Sequence, residues 1–147
     1  MRIVCDTSVL LRAALSPNGL AAELLRRIRA SHVLVSSYPI LAELLVVLRR
    51  PKIQALHRLD EQGIRRLISS LYKAAMIVQL PQPLPRVIPH DPKDDAILLT
   101  AIGAKATVLV TRDQHFYHPD VLSLVSGHGV RIIGDEQLLQ ELRAAQP

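Results

Sequence analysis

The sequence is short of what several classes of protein need. Its single cysteine, Cys5, excludes a disulfide scaffold and fits a reducing compartment. Four aromatics (Tyr38, Tyr72, Phe116 and Tyr117) and no tryptophan are too few for an extended base-stacking platform. No apolar run approaches the ~20 residues needed to span a bilayer. The longest, Ile40 to Leu48, is broken by Glu43, and Asp6 and Arg12 break the N-terminal run that a cleavable signal would require. The histidines lack a ligand spacing such as HxxxH, which argues against zinc. Gly127 and Gly129 precede a strand-like run instead of following one, so they form no phosphate-cradling loop. The expectation is a soluble, cytoplasmic chain with no membrane partner.

What the chain does have is a core and a basic balance. Its 147 residues are 49% hydrophobic, enough for one ordinary domain spanning residues 1–147. Eighteen Lys+Arg against 13 Asp+Glu leave a net charge of +5, which suggests an anionic partner, nucleic acid first.

Apolar runs of strand length alternate with runs of helical period. Strands are predicted at Arg2–Cys5, Val33–Val35, Met76–Gln79, Val108–Val110 and Val130–Ile133. Asp6-Thr7-Ser8 reads as a turn after the first. Helices are predicted from Leu20 to Ala30, from a cap at Ser36 or Ser37 to Arg49-Arg50 with Pro51 as the stop, from Asp60-Glu61 through Leu71, and from Asp91 to about Ala104. Asp135 is read as the cap of a closing helix. Residues 81–89 hold four of the ten prolines and read as an extended connection. Strands separated by helices imply an α/β three-layer fold with a parallel sheet, whose ligands sit beyond the carboxyl ends of the strands.

The acids concentrate at those ends. Asp6 follows the first strand and Asp113 the fourth, with Thr111 between strand and acid; if the two strands are neighbours, the carboxylates converge. Each could instead cap a turn or a helix. Glu43 lies in a helix apolar around most of its circumference, so it is expected to be largely buried, and a buried carboxylate needs a metal, a hydrogen bond or an ion pair such as one to Arg50. Asp91, Asp94 and Asp95 open a helix. One of them suffices as a cap; three within five residues repel one another unless a cation intervenes. Oxygen ligands suit Mg²⁺ or Mn²⁺, and a carboxylate cup on a basic protein is what metal-assisted phosphodiester hydrolysis requires. The arginine groups 26/27/29, 49/50 and 65/66 read as solvated helix faces, or as contacts for RNA phosphates or an acidic partner segment.

The segments Ile3-Val4-Cys5-Asp6-Thr7-Ser8-Val9-Leu10, Ala42-Glu43-Leu44, Asp91-Pro92-Lys93-Asp94-Asp95-Ala96-Ile97-Leu98 and Leu109-Val110-Thr111-Arg112-Asp113 together resemble the PIN domain. Within that family they resemble the toxin components of prokaryotic toxin–antitoxin pairs. The likeness runs from Met1 to about Leu142. It implies an α/β/α fold with a parallel sheet of about five strands in the order 3-2-1-4-5, and a Mg²⁺- or Mn²⁺-dependent ribonuclease. It assigns the family's four acids to Asp6, Glu43, Asp94 and Asp113, with Asp6, Asp94 and Asp113 as metal ligands. Thr7, Asp91, Asp95 and Thr111 are the supporting residues, Asp95 also being the register alternative to Asp94. Many relatives carry a further acid two residues after the fourth; here that place is taken by His115, read as a solvated loop histidine although histidine can ligate Mn²⁺. The resemblance further implies an RNA substrate, a cognate antitoxin and a homodimer. A nuclease-dead module that only binds nucleic acid or protein is the alternative. A haloacid-dehalogenase-type phosphatase is disfavoured, because that chemistry needs a second Asp where Ser8 stands.

Overall fold

The structure, a computed structural model, describes residues 1–87 and 92–146, with the side chains of residues 92 and 93 left out. Five short strands, β1 (Arg2–Cys5), β2 (Val33–Ser37), β3 (Met76–Val78), β4 (Val108–Val110) and β5 (Arg131–Ile133), form one parallel sheet in the order β3-β2-β1-β4-β5. That is the expected α/β architecture and strand order. Ile3, Val4, Leu34, Val35 and all of β4 are buried, as strands covered on both faces must be.

Among the described residues, eight helices surround the sheet: α1 (Thr7–Leu15), α2 (Leu20–Ser31), α3 (Tyr38–Leu48), α4 (Pro51–His57), α5 (Glu61–Ala74), α6 (Pro92–Gly103), α7 (Pro119–Gly127) and α8 (Asp135–Ala144). The chain steps outward from β1 to β3, then crosses back to β4. Right-handed crossovers therefore put α1 to α5 on one face and α6 and α7 on the other. The packing agrees: α6 lies on β1 and β2, while α2 touches α1, β2 and α8. Leu24 and Ile28 of α2 and Leu138 and Leu139 of α8 are essentially inaccessible. Among the described residues, no helix is long and apolar enough to cross a membrane.

Several elements differ from the sequence reading. Asp6-Thr7-Ser8 is the start of α1, not a free turn: the Asp6 carboxylate accepts from the Val9 amide at 2.9 Å, which is N-cap geometry. Pro51 ends α3 but also begins α4, because a proline at the first helical position sacrifices an amide that would be unpaired anyway. Pro119 opens α7 in the same way. Ser37 occupies the cap position of α3 without a side-chain capping bond; its Oγ accepts from the Thr100 hydroxyl at 2.8 Å instead. The cap position of α8 is Gly134, and the Asp135 side chain is used elsewhere.

Candidate active site

The reversal of strand order falls between β1 and β4, with Cys5 paired to Val110. The next residues, Asp6 and Thr111, therefore emerge side by side at the carboxyl edge of the sheet, the usual ligand-binding crevice of open α/β folds. The Asp6 amide extends the ladder to the Val110 carbonyl (3.1 Å) and the Thr111 amide extends it to the Ile133 carbonyl (3.0 Å).

Asp6 is 3% exposed and its carboxylate is tightly held. Oδ1 accepts from the Val9 amide and, at 2.7 Å, from the Ser8 hydroxyl. Oδ2 accepts a short hydrogen bond from the Thr111 hydroxyl. The same hydroxyl oxygen accepts from the Asp113 amide at 3.0 Å, so one threonine links the two strand-end acids. Asp113 caps the following 3₁₀ turn (Gln114–Tyr117), accepting from the His115 amide at 3.0 Å.

Glu43 comes from α3. It is half-buried, more open than its apolar helix suggested, and its partner is the Thr7 hydroxyl at 3.0 Å instead of Arg50. Thr7 is the residue after Asp6, so α3 is tied to the end of β1 beside the first acid.

The first turn of α6 carries two buried acids that serve different neighbours. Asp94 lies 3.8 Å (Oδ2) from His115 Nδ1, and that nitrogen is 3.5 Å from Asp113 Oδ1. Asp95, 1% exposed, accepts from Arg86 Nε and from the Val87 amide, both at 3.1 Å. Adjacent residues on a helix point about 100° apart, so when one faces the strand ends the other cannot. Asp91 lies outside the described residues.

Asp94, Asp113 and His115 each present a ligand atom within 4.8 Å of the others, making them the candidate metal group among the described residues. Two carboxylates and an imidazole are compatible with Mn²⁺, and the carboxylates with Mg²⁺. Neither Asp6 nor Glu43 belongs to this group. His115 thus stands among the acids, although its side chain is 63% exposed as expected of a loop histidine.

The sequence reading missed a second cluster on the same edge. Asp135, at the start of α8, is 1% exposed and paired with Arg12 of α1 (2.9 Å) and Arg112 (2.5 Å), the residue between Thr111 and Asp113. Burial pushes its carboxyl pKa up, but hydrogen bonds from Arg112 and Arg12 outweigh that and leave it below the ordinary value. An acid on an amphipathic helix gave no signal that it would be paired twice across the fold. The negative field of the edge is felt nearby. The Cys5 thiol is pushed well up, first by burial and then by the charges of Asp6 and Asp135, so it is an inert core group. The Tyr117 hydroxyl, which donates to the Thr111 carbonyl at 3.0 Å, is raised by the same causes.

Residues 2–115 match the family model of the PIN domain. The chain belongs to the PIN domain family. Members of this family are generally nucleases and typically use a divalent metal. No curated protein matches this PIN domain in sequence. Among solved structures, a chain of VapBC2 from Rickettsia felis, crystallised bound to a DNA fragment from its promoter, is similar with a TM-score of 0.62 and 14% identity. The match covers 91% of this chain and 98% of that one. PAE2754 from Pyrobaculum aerophilum is similar with a TM-score of 0.59 and 20% identity, over 98% and 99% of the two chains. At these identities the similarity is one of fold, over almost the whole length of each chain.

Proposed function

We propose that residues 1–147 act as a metal-dependent endoribonuclease, hydrolysing RNA phosphodiester bonds, and serve as the toxin of a type II toxin–antitoxin pair in the cytoplasm. The observation that carries the reading is the convergence of Asp94, Asp113 and His115 next to Asp6 at the β1–β4 switch point, in a chain of a nuclease family. Asp94 and Asp113 hold the cation, Mg²⁺ or Mn²⁺, with His115 as an added ligand that favours Mn²⁺. Asp6 completes the acidic wall, and its three donors keep it oriented. Bound there, the metal lowers the pKa of a water and neutralises charge on the phosphate. Glu43, fixed by Thr7, stands half-exposed at the rim, where it can orient a water or take its proton. Thr111 keeps Asp6 and Asp113 in register, while Asp95 holds Arg86 and the Val87 amide.

A fold shared with a chain of the VapBC2 structure supports an antitoxin partner; we extend this to a homodimer of the toxin. The test is cleavage of a defined panel of single-stranded RNAs with Mg²⁺ or Mn²⁺. Cleavage should stop in EDTA and in Asp6→Asn, and that variant should also cease to inhibit growth while melting as a folded protein. Undiminished cleavage in EDTA would refute the reading.

A further inference from the structure

We propose that Arg112 and Arg12, held by the buried Asp135, form a subsite for a backbone phosphate of the RNA adjoining the one that is cut. This rests on the nuclease reading above and specifies how its substrate is held. One carboxylate needs one guanidinium for neutrality, yet Asp135 has two, at 2.9 and 2.5 Å. No second carboxylate among the described residues pairs with either arginine, so the cluster carries one excess positive charge. It sits on the same edge of the sheet as the acids, since Arg112 is adjacent to Asp113 in the chain.

Arg112 binds Asp135 through Nε alone, and its side chain remains 52% exposed. Its two terminal nitrogens make no hydrogen bond among the described residues, leaving a planar fork of the kind that grips a phosphate. Arg12 reaches Asp135 through one terminal nitrogen, and its Nε is buried without a hydrogen-bond partner among the described residues. Asp135 therefore does for these guanidiniums what a supporting carboxylate does in a phosphate site: it removes their rotational freedom before the ligand arrives. RNA approaching a cup of acids is repelled until a cation is present, so a fixed positive site at the rim gives the neighbouring phosphate somewhere to rest.

The experiment titrates end-labelled single-stranded RNA with the full chain in Mn²⁺, reading fluorescence anisotropy over a range of salt. An Asp6→Asn background keeps the RNA intact. Arg112→Ala should weaken binding about tenfold and flatten the log–log salt dependence by about 0.7, the share of one contact to a single strand. Arg112→Lys should recover part of the loss. In the same background with Arg112 in place, RNA should slow phenylglyoxal labelling of Arg112, a readout that needs no further substitution. Unchanged affinity and salt slope in a folded Arg112→Ala protein would overturn the proposal. So would labelling indifferent to RNA, or an Arg112-dependent affinity for polyglutamate and none for RNA. Binding is read apart from cleavage, so a wild-type chain that binds RNA through Arg112 but never cuts it would sink the nuclease reading and leave this subsite standing.

Discussion

At the scale of single residues, Thr111 shows how a neutral group can organise charged ones. It donates to Asp6 and accepts from the Asp113 amide, so both strand-end acids refer to one oxygen. Thr111→Val keeps the shape and removes both bonds. The loss of one buried hydrogen bond to a charged acceptor costs about 1.5–3 kcal/mol, and the melting temperature should fall by a few degrees. Cleavage should fall further than stability alone explains, by about 10- to 100-fold if the displaced acid forfeits ~1.4–2.7 kcal/mol of transition-state stabilisation. Thr111→Ser should restore most of both. Steady-state cleavage alongside thermal melting checks this; a Thr111→Val enzyme with full activity would show that the link is only structural.

Asp6, Thr111 and Asp113 were legible as a group because they lie at or just past the ends of the first and fourth strands, which meet if those strands are neighbours. Glu43 was legible as notable, but its half-burial was not, since that depends on how α3 packs. The Asp135 pairing with Arg12 and Arg112 joins residues more than a hundred positions apart on one side, and no local pattern encodes it.

At the scale of elements, the strands were read within one or two residues because parallel, doubly covered strands are short apolar runs. The missed helices have a common cause. Asp-Thr-Ser and proline are turn signals, but the same chemistry starts helices: a side-chain oxygen capping an amide, or a proline at the first helical position. α1, α4 and α7 all begin this way. Because α1 starts at Asp6, the capping alternative holds for the first acid, and it explains why that carboxylate is so firmly held.

The α2–α8 contact adds a pH dependence. Hydrogen bonds from Arg143 of α8 first, and from Arg27 second, lower the Glu23 carboxyl from 4.5 to about 2. A carboxyl depressed by folding stabilises fully above its unfolded value, and that contribution is lost as pH falls through the folded one. Glu23 should therefore support the fold down to about pH 4.5 and cease to do so by about pH 2. Melting curves of Glu23→Gln should show a lower melting temperature at neutral pH and a shallower decline across that window. Parallel acid limbs for the two proteins would mean that the ion pairs contribute nothing.

At the scale of the whole molecule, the net charge of +5 averages two unlike surfaces. Six of the 13 acids were assigned in sequence to one groove or its margin: Asp6, Glu43, Asp91, Asp94, Asp95 and Asp113. The structure gathers Asp6, Glu43, Asp94 and Asp113 about the carboxyl edge of the sheet, and turns Asp95 to Arg86 and Val87. It adds Asp135 to that edge, but already neutralised by arginine. What emerges is a small acidic pit with a cationic neighbour on a basic body, an arrangement that suits the proposed metal-dependent cleavage of a polyanion.

On the proposed function, these particular acids, as the fold arranges them, form the nuclease site. Asp94 and Asp95 test it most directly, because they are adjacent, both buried and chemically identical, yet point to different neighbours. The measurement is RNA cleavage in Mn²⁺ by Asp94→Asn and Asp95→Asn, each checked for folding. Asp94→Asn should be inactive though folded, and Asp95→Asn should cleave within a few-fold of the parent while melting at a lower temperature. An active Asp94→Asn beside a folded, inactive Asp95→Asn would contradict it.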